Sequence, residues 1–115
     1  MIEGIYRVAF TGMNGSGLGI LLLKNGALAG ADVSGGTFDG TYEETADKRG
    51  VLARWTTRFP AGATPVQTGK PLAEPVAVPS ENTLPPDLGA GNVVRIETAL
   101  GPVNVIFTKL RDLPQ

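Results

Sequence analysis

The sequence contains neither cysteine nor histidine, and each absence excludes a class of chemistry. Without cysteine, the 115-residue chain can form no disulfide and offers no thiolate to a metal ion. Without histidine, it lacks the commonest metal ligand and the commonest acid–base group at neutral pH. Catalysis by a serine nucleophile would then need a lysine base, and no motif supplies that pair. We therefore expect a protein that is not an enzyme, with no catalytic residue, no metal site and no cofactor.

Charge is also scarce, and no basic block is present. Charged residues make up 18% of the chain, and the formal net charge is -1. Nucleic-acid binding needs clustered lysine or arginine to neutralise phosphates, so we expect no direct contact with DNA or RNA. The longest apolar run, residues 20–23, is too short to cross a bilayer. Since the first residues also lack the features of a secretory signal, we expect a cytoplasmic protein without a membrane segment.

Glycine and proline, which are abundant, divide the chain into short extended segments. The 16 glycines and 9 prolines separate segments of roughly 6–9 residues, the spacing of an all-β domain. Polar and apolar residues alternate within them, as in residues 37–43, and none has helical periodicity. Asn25-Gly26 is the sequence expected at a type I′ turn between adjacent antiparallel strands. The pattern therefore predicts seven or eight strands joined as hairpins.

The hairpins are expected to form one domain over residues 1–115. An open meander exposes two strand edges, and closing the sheet removes them. We therefore expect a small, closed or nearly closed, antiparallel up-and-down barrel of about eight strands, of the lipocalin or calycin type. One short helical turn is an option after Pro85. A sandwich is the alternative, which the absence of an obvious Greek-key crossover disfavours. The segment around Pro75 should be an edge strand or a loop, because proline donates no ladder hydrogen bond.

Aromatic residues recur at alternating positions along these segments and should face the barrel interior. Two interpretations follow: the rings fill the interior, or they line a pocket for a small apolar ligand. The short strands favour complete packing. The predicted interior residues are Tyr6, Phe38, Tyr42, Trp55 and Phe107.

Two further features concern the outer surface. Glu43, Glu44 and Asp47 lie in a predicted charged turn; they are most simply solvated, match no calcium loop, and offer an acidic patch to a basic partner. Four arginines lie on strand faces opposite the expected core and are either plainly exposed or at the rim of a subunit interface, where arginine is enriched: Arg7, Arg54, Arg58 and Arg95. The segment of residues 17–23 is apolar on both faces, which predicts a strand covered on both sides.

Several short motifs follow one another in order over residues 4–42. They are Gly4-Ile5-Tyr6-Arg7-Val8-Ala9-Phe10, Lys24-Asn25-Gly26, Gly30-Ala31-Asp32 and Thr37-Phe38-Asp39-Gly40-Thr41-Tyr42. This set resembles the GrlR-type family, the negative regulators of bacterial type III secretion. The resemblance implies a lipocalin-like barrel of eight strands, usually a homodimer, that binds a protein.

The resemblance also implies a mechanism. In that family an exposed acidic loop sequesters a DNA-binding transcription activator, and the matching positions here are Glu43, Glu44 and Asp47. Thr45 and Ala46 interrupt these acids, whereas those of the family are consecutive. The leading hypothesis is a cytoplasmic regulator that acts by protein–protein contact. The alternative is a barrel that binds a small apolar ligand or lipid, which predicts a cavity of at least a few hundred Å³.

Overall fold

Eight strands follow one another along the chain, as the alternation of polar and apolar residues predicts. The computed structural model describes residues 2–114, and no helix occurs among them. The optional helical turn after Pro85 is a simple turn instead, in which the Ala90 N–H donates to the Asp87 carbonyl at 3.1 Å. No helix that could cross a membrane is found in this part of the chain. The strands are β1 (Gly4–Gly12), β2 (Gly15–Lys24), β3 (Ala27–Asp32), β4 (Thr37–Glu44), β5 (Val51–Phe59), β6 (Val76–Leu84), β7 (Ala90–Ile96) and β8 (Val103–Arg111).

All eight strands belong to one antiparallel sheet, in the order β6-β5-β4-β3-β2-β1-β8-β7. Neighbours in the sheet are consecutive in the chain except β1 and β8, whose pairing joins the two terminal strands. The edge strands β6 and β7 meet at a seam, where the Asn82 side-chain amide donates to the Glu97 carbonyl at 3.5 Å. The sheet thus curls into a nearly closed up-and-down barrel. A single sheet excludes the sandwich.

Prolines explain why the barrel is interrupted at β6. Pro75 directly precedes this strand, Pro79 lies within it and Pro85 directly follows it. Proline has no N–H to donate, so this strand is poorly suited to carry a ladder on both of its edges. The prediction of an edge strand or a loop around Pro75 is confirmed in both parts: residues 71–75 belong to a connection, and the edge strand begins at Val76 and runs to Leu84.

Side-chain alternation places the core inside the curl. Inward residues such as Tyr6, Leu23 and Ala53 are buried, and the Asn25-Gly26 turn has the positive φ angles, 49° and 80°, of a type I′ turn. On β2 the inward Leu21 and Leu23 are buried, whereas the outward side chains stay 37–47% exposed. The prediction that β2 is covered on both faces is therefore wrong within the chain. The exposed side chains are those of Leu18, Ile20 and Leu22.

Candidate ligand-binding site

The predicted interior residues divide between the two ends of the barrel. At one end, here called the tyrosine end, Tyr6 and Tyr42 are buried beside the β2–β3 and β4–β5 turns. The Tyr6 hydroxyl donates to the Ile2 carbonyl there. Burial, reinforced by nearby Tyr42, raises the pKa of Tyr6 to about 12, and burial also raises the pKa of Tyr42. These two rings fill their end of the barrel, as a packed interior requires.

The interior towards the opposite end is open and forms a cavity of about 190 Å³. Every strand contributes to its wall, which is mostly aliphatic and aromatic. Three of the predicted interior residues, Phe38, Trp55 and Phe107, lie in this wall. An apolar cavity of about 150 Å³ is large enough to bind benzene, so this one has room for a small ring or a short chain. It is smaller than the few hundred Å³ expected for a lipid-binding barrel.

Glycines opposite aromatic residues shape this wall. Phe10 on β1 pairs with Gly17 on β2, and Phe38 on β4 pairs with Gly30 on β3. A Cβ at Gly17 would overlap the Phe10 ring, and a Cβ at Gly30 would lie 2.9 Å from the Phe38 ring. Each ring therefore lies over the neighbouring strand, in the space that another side chain would occupy. Phe10 is not among the predicted interior residues, although alternation places it on the same strand face as Tyr6 and Val8.

The β5–β6 connection, residues 60–75, covers part of the cavity mouth. The Asn14 N–H donates to the Val66 carbonyl at 2.9 Å, and the Asn14 side-chain amide donates to the Gln67 carbonyl at 3.0 Å. The Gln67 side-chain amide donates to the Thr98 hydroxyl at 3.3 Å. These bonds fasten the connection to the β1–β2 and β7–β8 turns, and Pro65, which belongs to the connection, is fully buried. The sequence indicated a break here but gave no sign of a cover.

The cavity wall carries little charge. Asp32 is the ionisable residue in it, and neither lysine nor arginine contributes to the described wall. One Asp32 carboxylate oxygen accepts from the Ser34 N–H at 2.9 Å, the Ser34 hydroxyl at 2.7 Å and the Gly36 N–H at 2.9 Å. It therefore stabilises its own turn. With no cation to pair with an anionic group, the cavity suits an uncharged ligand.

The acidic turn lies at the tyrosine end, away from the cavity mouth. Glu43 and Glu44 end β4, and both are exposed, as is Asp47. The Thr45 hydroxyl donates to an Asp47 carboxylate oxygen at 2.6 Å, and the Arg49 N–H donates to it at 3.0 Å. The Thr45 bond, followed by the Arg49 bond, lowers the pKa of Asp47. Asp47 thus stabilises the β4–β5 turn by accepting these two hydrogen bonds, whereas the side chains of Glu43 and Glu44 are exposed to solvent.

No described group of three or more acidic side chains is arranged to hold a metal ion. The cavity offers an apolar space to a small molecule, and the acidic turn offers exposed carboxylates to a basic surface. Comparison of the chain with protein-family models, with curated proteins and with solved structures gives no significant match.

Proposed function

We propose that this protein binds a small, uncharged and largely apolar molecule in the barrel cavity, without transforming it. The observation that carries the proposal is the cavity itself, about 190 Å³ of apolar space within an otherwise packed barrel. Natural cores are close-packed, and voids larger than a water molecule are few. A space of this size therefore calls for an occupant.

The wall defines the class of ligand. The volume of the cavity suits one small ring or a chain of about six carbons, since ~150 Å³ accommodates benzene. The aromatic side chains offer ring faces and edges for stacking. Thr57 and Ser80 lie in the same wall and bring hydroxyl groups that suit a ligand with one polar group, whereas the Thr98 hydroxyl donates to the Gly101 carbonyl at 2.6 Å. A carboxylate would enter without a counter-charge, which is unfavourable.

The single tryptophan of the chain makes the test direct. Trp55 lies in the cavity wall, so its emission should shift to shorter wavelength when a ligand displaces water. Toluene and 1-hexanol should each shift the emission saturably and raise the melting temperature. Hexanoate, which matches 1-hexanol in length but is anionic at neutral pH, should do neither at the same concentration. Absence of a saturable response to both neutral probes would refute the proposal.

A second candidate is the capture of a basic protein surface by the acidic turn, as the GrlR resemblance implies for a transcription activator. The exposure of Glu43 and Glu44 favours it, since neither makes an ion pair among the described residues. The double substitution Glu43→Lys and Glu44→Lys should abolish capture of such an activator in a pull-down and leave the melting temperature unchanged. Undiminished capture would reject this mechanism.

A further inference from the structure

Two hydroxyl groups in the cavity wall have no hydrogen-bond partner among the described residues. The half-buried polar side chains of the wall are those of Asp32, Thr57, Gln67, Ser80 and Thr98. Asp32 accepts hydrogen bonds from its own turn, and the Gln67 amide donates to the Thr98 hydroxyl. By contrast, neither Thr57 nor Ser80 forms a side-chain hydrogen bond in the described part of the chain. These two hydroxyls are therefore available to a molecule inside the barrel.

The strand register places the two hydroxyls close together. Thr57 shares the inward face of β5 with Trp55, and Ser80 shares the inward face of β6 with Val78. Thr57 pairs with Val78 and Trp55 pairs with Ser80, so Thr57 and Ser80 are diagonal neighbours with Cβ atoms about 7 Å apart. Since an O–H···O bond spans about 2.8 Å, both hydroxyls can reach one oxygen atom that lies between them.

The wall that faces these hydroxyls is apolar. In the sheet order, β1 and β2 lie four places from β5 and β6, which puts them across the eight-stranded barrel. The inward side chains that β1 and β2 contribute to the cavity are those of Val8, Phe10 and Leu21. The cavity therefore has one side that can form hydrogen bonds and an opposite side that cannot.

We propose that the ligand carries one uncharged oxygen, as a hydroxyl or a carbonyl group, and that Thr57 and Ser80 bind this oxygen and determine specificity. The inference rests on the proposed binding function and adds an orientation, with the oxygen at the β5–β6 side and the hydrocarbon part against Phe10. A pure hydrocarbon would displace water from both hydroxyls without replacing its hydrogen bonds, which is unfavourable. Valine has nearly the same shape as threonine, so packing alone does not require a hydroxyl at residue 57.

Toluene and phenol, which differ by the exchange of a methyl for a hydroxyl group, test the proposal in calorimetric titrations of the full chain. Thr57→Val and Ser80→Ala should each lower the affinity for phenol about fivefold, and the double variant about 20-fold. The affinity for toluene should stay the same or rise. Cyclohexanone, which accepts hydrogen bonds but donates none, separates the two kinds of oxygen. A loss equal to that for phenol includes carbonyl ligands, and an unchanged affinity restricts the class to hydroxyl compounds.

Thr56→Val is the matched control. It makes the same change at the next residue of β5, which faces outward and does not line the cavity, and it should bind both probes like the parent. Thr57→Val should also keep the parental melting temperature, because its hydroxyl stabilises nothing within the described chain. Parental phenol affinity in the double variant, or an equal loss for phenol and toluene, would overturn this inference and leave the binding function standing. A parent that binds neither probe would overturn both.

Discussion

Replacing Val105 with phenylalanine separates an open interior from a packed one by the sign of the stability change. Val105 is 7% exposed and lines the cavity. The benzyl side chain of phenylalanine is larger than the isopropyl side chain of valine by about 50 Å³. Because a cavity costs about 24 cal/mol per Å³, filling that volume should stabilise the protein by about 1 kcal/mol. The same replacement in a close-packed core costs about 1–3 kcal/mol. Val105→Phe should therefore leave the barrel as stable as the parent or slightly more stable.

The same substitution at Val51 provides the control. Val51 is 2% exposed, belongs to the core and does not line the cavity, so Val51→Phe should be destabilising by about 1–3 kcal/mol. Urea unfolding followed by circular dichroism measures both changes. For a domain of this size, 1 kcal/mol corresponds to a melting-temperature difference of roughly 4–8 °C. In the Val105→Phe variant, toluene should also no longer shift the emission of Trp55.

Equal destabilisation by the two substitutions would refute this reasoning. It would mean that the interior around Val105 is as densely packed as that around Val51, and that the cavity is absent in solution. A stable Val105→Phe variant that still binds toluene with parental affinity would place the ligand elsewhere.

Three further predictions concern other parts of the barrel. The folded-state pKa of Tyr6, about 12, exceeds the ordinary 10.0, so the unfolded chain releases its proton first as pH rises. Stability should therefore fall between pH 10 and 12 by up to about 3 kcal/mol, and urea unfolding of Tyr6→Phe should show a smaller fall; equal slopes would contradict this. Asp47→Ala removes the acceptor of the Arg49 N–H, so amide exchange at Arg49 should accelerate at neutral pH; an unchanged rate would show that the turn does not depend on it. Gly30→Ala places a Cβ against the Ile20 carbonyl oxygen and the Phe38 ring and should lower stability by about 1–3 kcal/mol in thermal unfolding, an expectation that a parental melting temperature would exclude.

Local sequence patterns predict much of this fold because strand faces and tight turns are local properties. The alternation around Phe38 and Tyr42 identified β4 and its inward face, and Asn25-Gly26 located the β2–β3 turn. Pro75 correctly marked an edge strand. The gap between β6 and β7, however, was not predicted, because alternation does not say which strands pair across the barrel.

The cavity depends on relations between distant residues, and for that reason the sequence left a packed interior and a pocket as alternatives and favoured packing. Whether an aromatic residue fills the interior depends on what stands beside it in the next strand, as with Phe10 opposite Gly17. The cover at the mouth likewise depends on Asn14 meeting Val66. The outward side chains of β2, those of Leu18, Ile20 and Leu22, were wrongly predicted to be covered for a related reason. The pattern shows that both faces of the strand are apolar, but it does not show whether other parts of the chain cover the outer face.

Because no ladder joins β6 to β7, backbone hydrogen bonds do not fix the diameter of the barrel at this seam. In a fully laddered barrel, the number of strands and their stagger fix the diameter, and any widening breaks backbone hydrogen bonds. Here the edge strands β6 and β7 can move apart without breaking any of the ladders that join the eight strands. The prolines that flank and interrupt β6 also make this edge unsuitable for pairing with the strand of another chain.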